Sequence, residues 1–339
     1  MKFVTAGGLR IDYLITSEGK AFHAQPGGNA LYAAAGAAMW TDSVALWSRY
    51  GSNFPLIWLE DLADLGLDTG GLIAVPGDQD HRTFFAYLAD GQRDDTNPAL
   101  HYARAGLPLP DALHDYVHST PQQDDPQIYE PLSLRPADWP PIFDKVTAVH
   151  LSPMPLATHL HIPAQLRKQG VRQITVDPGE RYMVPQRLSY IRQILPLVDA
   201  FLPSDQEVRS LFGQDVDLWQ AAGKLCEWGA PLVLIKVGAD GVYLMERENG
   251  NRVPLRPFHT ANDTRVIDVT GAGDAFCGGF LVGLAQTADA IEAAQMGLVS
   301  ASRIIEGYGA LYGLGLSQEE SHARLQSVKN NYQQSTANS

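Results

Sequence analysis

Cysteine is scarce in this sequence: Cys226 and Cys277 are the only two among 339 residues, and they form no CxxC pair. A disulfide framework and a structural zinc site are therefore excluded, and a reducing cytoplasm is the expected compartment. Charge is sparse too, at 19% of residues against the roughly 25% of an average globular chain. Combined with 45% hydrophobic residues, that is not the composition of a disordered protein. Lys and Arg total 25 against 38 Asp and Glu, a net charge of −13, and no basic run occurs. No nucleic-acid partner is expected, because phosphate affinity comes from clustered basic side chains. No window reaches the roughly 18 uninterrupted apolar residues of a membrane span. Gly7, Gly8 and Arg10 interrupt any signal-peptide core in the first fifteen positions. Two nucleotide signatures are missing as well: there is no P-loop, and no Gly-x-Gly-x-x-Gly follows the first strand.

Short apolar runs alternate with helical patterns. Phe3–Ala6, Ile11–Ile15, Val44–Trp47, Val146–Leu151, Gln173–Asp177, Ala200–Leu202 and Leu232–Val237 read as strands. Helices are expected over Asn29–Trp40, Pro55–Leu65 (with Leu56, Leu59 and Leu62 on one face), Pro155–Lys168, Pro185–Ile194 and Val216–Trp228. The C-terminal third reads as helices over Gly271–Leu284, Asp289–Ile305 and Ser317–Val328, with a frayed end from Asn330. This alternation predicts an α/β protein with a mostly parallel sheet covered on both faces. Thr16–Gln25 and Arg82–Tyr87 fall outside it and predict a small separate sheet. The Pro-rich stretch 90–141 reads mostly as loop, and a loop of that length inside a compact unit is usually functional or disordered.

The strongest chemical feature is Asp268-Val269-Thr270-Gly271-Ala272-Gly273-Asp274, between a strand-like Arg265–Ile267 and a helix. Thr270 suits an N-cap. Glycine in a first helical turn costs up to about 1 kcal/mol relative to alanine. A bare helix N-terminus whose N–H groups meet an anion would justify that cost. Asp274, one turn in, could take the proton of a hydroxyl attacking a phosphoryl group. The helix terminus is expected to lower its pKa. Packing of the glycines against a neighbouring helix is the plain alternative.

That string, followed by Gly278 and Gly279, resembles the signature of the ribokinase-like (PfkB) family of carbohydrate and nucleoside kinases, Asp-Thr-x-Gly-Ala-Gly-Asp, with Val269 where Thr is commonest. The resemblance implies a three-layer ribokinase-like fold with a small β-sheet lid. It implies ATP and Mg²⁺ as cofactors, and it admits a monovalent cation. Asp274 resembles the catalytic base, and the backbone of Gly271, Ala272 and Gly273 the anion hole. Gly7-Gly8-x-x-Ile11-Asp12 and Pro26-Gly27-Gly28-Asn29 resemble the acceptor site. Asp12 and Asn29 can bond vicinal hydroxyls, and Gly27 and Gly28 would let a substrate lie against the backbone. Lys236-Val237-Gly238-Ala239-Asp240-Gly241 resembles the nucleotide-side segment, with Lys236, Gly238, Gly241 and Thr270 near the donor. Where the family usually shows Asn-x-x-Glu, this chain has Ser204 and Glu207. Glu207 can still serve Mg²⁺ through water, with Asp177 as a second metal candidate, and Ser204 falls on the nucleotide side. Asp177-Pro178-Gly179-Glu180-Arg181 resembles a family segment at a strand end, which adds Arg181 to the acceptor side.

The expected organisation is therefore one domain over 1–339, a lid from about 16–27 and 81–92, and an insertion over about 90–141. The expected reaction is transfer of the ATP γ-phosphoryl group to a hydroxyl of a sugar or sugar-like molecule. Exposed lid edges could pair two subunits. A nucleoside kinase of the same superfamily is the alternative, with Phe84, Tyr87 and Tyr102 as candidates for a base slot; a catalytically silent ligand-binding relative is another. His150, His159 and His161 read as surface or loop residues, since no third metal ligand stands at the right spacing.

Overall fold

The computed structural model describes residues 2–88, 93–118, 122–143, 145–248, 250, 252–255 and 266–337. In chain order the first half holds β1 (Lys2–Ala6), β2 (Arg10–Ile15), β3 (Ala21–Gly27), α1 (Asn29–Ala38), β4 (Val44–Tyr50), α2 (Leu56–Asp64), β5 (Asp68–Ala74), β6 (Arg82–Tyr87), β7 (Arg93–Asp94), α3 (Pro98–Arg104), β8 (Val146–Leu151) and α4 (Leu156–Lys168). The second half holds β9 (Gln173–Val176), α5 (Leu188–Ile194), β10 (Ala200–Phe201), α6 (Asp205–Phe212), α7 (Leu218–Glu227), β11 (Leu232–Lys236), β12 (Val242–Glu246), β13 (Arg252–Leu255), α8 (Ala272–Thr287), α9 (Ala290–Ile304), α10 (Gly309–Leu314) and α11 (Gln318–Ala337).

Nine strands form one sheet in the order β13-β12-β11-β10-β9-β8-β1-β4-β5. The pairs from β11 through β5 are parallel, and the pairs β11–β12 and β12–β13 are antiparallel, so β12 alone runs against the rest of this sheet. Side chains alternate between the faces of a strand, so one strand feeds two cores. Val4, Val149, Val233 and Ile235 pack against α4, α5, α6 and α7 on one face. Phe3 and Ala148 face α1, α8 and α9 on the other, and Leu234 meets Phe276 and Phe280 of α8 there. The three-layer α/β architecture with a mostly parallel sheet is the one expected.

Small residues set the helix spacing on the second face. A Cβ at Gly36 of α1 would lie 2.1 Å from the Ala275 carbonyl oxygen, and one at Gly278 of α8 1.8 Å from that of Ala33. These glycines let α1 and α8 pack backbone to backbone, which holds the start of α8 against the start of α1.

The second sheet has the order β3-β2-β6-β7. Ile11–Ile15 belongs here rather than beside β1: Gly7 and Gly8 end β1, and the chain turns away to pair β2 with β3 and β6. Thr16–Lys20 is the hairpin turn, closed by the Thr16 N–H on the Lys20 carbonyl at 2.9 Å. The face expected of α2 is only partly inward. Leu62 is buried beside the half-buried Trp58 and Leu59, while Leu56 is 60% exposed because the first turn projects beyond the core. At the C-terminus α11 continues to Ala337 instead of fraying from Asn330. Val266 and Ile267 are not a strand, and Arg265 lies outside the described residues, as do positions 89–92 of the expected lid. The Pro-rich stretch is more structured than expected. It contributes β7 and α3, buries Tyr102, Leu113 and Leu134, and anchors Asp138 on Arg49.

Candidate active site

Open parallel sheets bind ligands at the carboxyl ends of their strands, and the titratable residues singled out from the sequence gather there. Asp177 follows β9, Ser204 follows β10, Lys236 ends β11, and Gly7 follows β1. Ser204 and Lys236 are bridge partners, and the Lys236 N–H donates to the Pro203 carbonyl at 2.8 Å. α8 begins beside them, with the Lys236 ammonium 3.8 Å from where a Gly273 Cβ would stand.

Local geometry at α8 departs from expectation in one respect. The N-cap is Gly271 at φ 73°, not Thr270. The Asp268 carboxylate accepts the Thr270 N–H at 2.9 Å, and the Thr270 hydroxyl meets the Tyr87 hydroxyl of β6. Gly271 is required twice over: its φ lies in the left-handed region, and a Cβ would fall 2.1 Å from the Tyr32 ring. Gly273 is different, with only Lys236 nearby. The Ala272 N–H is engaged by the Val269 carbonyl at 3.2 Å. Among the described residues, those of Gly271, Gly273 and Asp274 meet no protein acceptor. The start of α8 is therefore a set of free donors that keeps Gly271 and Gly273 of the expected 271–273 backbone, loses Ala272 and adds Asp274.

Asp274 is half-buried next to those donors. Its pKa is pushed up to about 8 rather than lowered by the helix terminus. Burial is the main cause; the charge of Asp177 adds to it, Lys236 and Arg93 oppose it, and Asp12 adds a further increment. Asp12 is itself pushed to about 7 by burial, against the pull of Arg10, and its Oδ2 is buried with no hydrogen-bond partner. Acceptor-side and base candidates are thus close enough to feel each other.

The glycines of the acceptor segment serve packing. A Cβ on Gly27 would strike the Asp12 carboxylate at 1.8 Å, and one on Gly28, at φ 98°, the Gly8 carbonyl oxygen at 2.3 Å. Protein atoms fill the space that was expected to admit a substrate. Asn29 is also partly engaged: its Oδ1 accepts the Gly8 N–H at 2.8 Å and its Nδ2 donates to the Pro153 carbonyl at 2.6 Å. Each group keeps capacity for one further bond.

On the opposite side Lys236 forms a buried ion pair with Asp177, and the Cys277 thiol sits 3.6 Å from the same carboxylate oxygen. Burial works against the Lys236 ammonium, but Asp177, Cys277 and Glu207 outweigh it and hold it charged. Burial likewise pushes Asp177 up against the pull of Lys236. Glu207 is pushed to about 8, first by burial and then by Asp177. Its Oε2 accepts from the Ser204 N–H at 2.7 Å and the Ser204 hydroxyl at 2.9 Å, closing a capping box on α6. Ser204 in place of the family Asn is thereby explained locally. Among the described residues no three His, Cys, Asp or Glu side chains form a metal cage. The donor set still fits Mg²⁺. Asp177, Glu207 and Asp274 are three acids around one lysine, and Mg²⁺ commonly uses one or two carboxylates beside the phosphates of its ligand. Gly238 and Gly241 lie in the β11–β12 turn at φ 56° and 97°.

A cavity of about 530 Å³ opens on the acceptor side, lined by Gly7, Gly8 and Asn29 and, at its mouth, the exposed Arg181. The aromatic candidates for a base slot do not line it. Phe84 and Tyr102 are buried in the core of the second sheet with Tyr13 and Leu113, and Tyr87 bonds Thr270. His150 and His159 are fully buried, not on the surface: His159 bridges the Tyr182 hydroxyl and the Ser152 carbonyl, and His150 bonds Thr175. Only His161 is exposed, bonded to Tyr129. Cys277 and Tyr32 are contacts that sequence reasoning missed. Their proximity to the site comes from helix packing and leaves no motif.

The sequence profile of the pfkB family of carbohydrate kinases matches residues 141–314. Over 314 residues the chain is 27% identical to a cytidine kinase of Thermococcus kodakarensis, covering 91% of this chain and 98% of that protein. Two solved structures share the fold over 96% of this chain. One is the Arabidopsis thaliana ribokinase complexed with ribose and ATP, at TM-score 0.68, 18% identity and 98% coverage of that chain. The other is a nucleoside kinase of Methanocaldococcus jannaschii, at TM-score 0.68, 17% identity and 99% coverage of that chain.

Proposed function

Because this chain belongs to the pfkB family of carbohydrate kinases and is a phosphotransferase with an alcohol acceptor, we propose that it moves the γ-phosphoryl group of ATP onto a hydroxyl of a sugar-like small molecule at the start of α8. The observation that carries this reading is the conjunction of free N–H donors at Gly271, Gly273 and Asp274 with the Asp274 carboxylate and the Lys236 ammonium.

The acceptor hydroxyl lies between Asp12, Asn29 and Asp274. Asp274 takes its proton as the oxygen bonds to phosphorus. The α8 donors meet the charge on the transferring group, aided by the helix dipole. Lys236, kept charged by Asp177, adds a fixed positive charge on the nucleotide side, where Ser204, Gly238, Gly241 and Thr270 also belong. Glu207 and Asp177 are the carboxylates that would hold Mg²⁺, which when bound would neutralise charge on the polyphosphate. The second sheet acts as a lid, fastened through Tyr87 to Thr270, and keeps water from the donor.

A second reading, a nucleoside acceptor, is favoured by the Thermococcus kodakarensis relative, matched over nearly its whole length, and by a cavity of about 530 Å³ beside Asn29. A coupled ADP-release assay over sugars, sugar phosphates and nucleosides separates the two. The expected result is acceptor-dependent release that Asp274→Asn reduces by roughly 10²- to 10⁴-fold, the range of a lost general base. Near-normal turnover by that variant overturns the assignment. Folded protein that binds ATP and phosphorylates nothing favours a silent relative.

A further inference from the structure

Tyr32 is a buried phenol to which the phosphoryl transfer described above gives no part, and a role for it in acceptor binding rests on the kinase function proposed for the site. It stands three residues after Asn29 on α1, on the same face of that helix. The residue is 4% exposed. Its ring lies over the N-cap of α8: a Cβ on Gly271 would stand 2.1 Å from its Cδ1, 2.2 Å from its Cγ and 2.7 Å from its Cε1. The ring thus spans from the acceptor residue on α1 to the free donors of α8.

The groups whose charge reaches its hydroxyl come from four places. They are Asp12 on β2, Asp268 ahead of α8, Tyr87 on β6 and Asp274 on α8, in falling order of effect. Burial and these neighbours keep the phenol protonated, so it has a proton to donate. Among the described residues its hydroxyl has no hydrogen-bond partner. Three of the four neighbours are already occupied. Asp268 accepts the Thr270 N–H, Tyr87 bonds the Thr270 hydroxyl, and Asp274 is the base. Asp12 remains, 8% exposed and with its Oδ2 lacking a partner. A buried donor and a buried acceptor left open each carry a desolvation cost until something fills them.

One hydroxyl group can fill both, because it accepts from the phenol and donates to the carboxylate. A ligand phosphate or carboxylate cannot, since it has no proton to give and Asp12 repels it. The reacting hydroxyl is excluded as well: a donor on the nucleophilic oxygen would hold back its lone pair. We propose that Tyr32 and Asp12 together hold an uncharged hydroxyl of the acceptor, next to the one that Asp274 deprotonates, with Tyr32 as donor and Asp12 as acceptor. Tyr32 thereby selects for acceptors that carry two neighbouring hydroxyls.

The test is ADP release by the full chain at pH 8, with D-ribose, D-fructose, D-fructose 6-phosphate and cytidine as acceptors. Tyr32→Phe, Asp12→Asn and the double variant are compared with the parent on each acceptor that turns over. Tyr32→Phe keeps the ring against Gly271, so it should melt with the parent. It should raise the acceptor KM by about three- to tenfold, the size of one neutral hydrogen bond, while kcat and the KM for ATP move less. The two side chains hold one hydroxyl, so the double variant should bind acceptor little worse than Asp12→Asn alone. An unchanged acceptor KM in Tyr32→Phe overturns the inference and leaves the kinase reading standing. So do losses that simply add in the double variant, or an equal rise in the KM for ATP, which also marks a variant whose site has been distorted. No acceptor-dependent release by the parent overturns both.

Discussion

Asp274 should make the reaction depend on pH far above the ordinary carboxyl range. A general base acts only when ionised, and burial together with Asp177 and Asp12 pushes Asp274 to about 8. At pH 7 about one molecule in eleven then carries the ionised carboxylate, and at pH 9 about ten in eleven. With acceptor and MgATP both well below their KM, the rate reports groups of the free enzyme. Its log should climb with a slope of one up to about pH 8 and gain about tenfold between pH 7 and 9. The sign is fixed: protonation removes the base, so activity falls on acidification. The assay is coupled ADP release from pH 5.5 to 9.5, with the coupling enzymes checked at each pH. Asp274→Asn supplies the control, since the residual rate should lose this limb. A profile flat from pH 6 to 9, or one whose midpoint lies near 4, would refute the argument that neighbouring acids and burial outweigh the helix terminus.

Two further outcomes separate packing from chemistry at the same site. Gly271→Ala should destabilise the fold by a few kcal/mol, because its Cβ meets the Tyr32 ring at a φ of 73°. Gly273→Ala would set its Cβ in ordinary contact with Lys236, 3.8 Å away, so it should melt no lower than the parent and yet turn over more slowly, its methyl standing among the free donors; full activity would remove Gly273 from the anion site. Asp177→Asn strands the Lys236 ammonium, whose side chain is only 14% exposed. It should lower stability by about 3 kcal/mol in urea unfolding, and an unchanged midpoint would show that the pair contributes nothing.

Much of the site was legible because its chemistry is written in consecutive residues. Asp268 to Asp274 carries a helix start, a base and the glycines in one string, and the strand–helix alternation led to the layered sheet. Asp12, Asn29, Asp177, Lys236 and Glu207 were found because each stands in a short string that resembles a family segment. Reasons were harder to read than places. Gly27, Gly28 and Gly271 looked like room for a ligand, yet their missing Cβ atoms make way for Asp12, Gly8 and Tyr32. Ser204 looked like a defect in donor contact and proved to be half of a capping box. His150 and His159 looked exposed because their burial depends on the sheet and α4 closing around them.

The sequence by itself determined the fold class, the family signature and Asp274 as the candidate base, since local periodicity and a short contiguous motif need no knowledge of distant neighbours. Charge states and specificity belong to the tertiary structure. Only the fold brings Asp177 and Asp12 toward Asp274 and raises a carboxyl that its own helix should depress. Only the fold sets Tyr32 of α1 against Gly271 at the start of α8 and within reach of the charge of Asp12. Desolvation and through-space charge depend on who the neighbours are, and a linear pattern does not encode that.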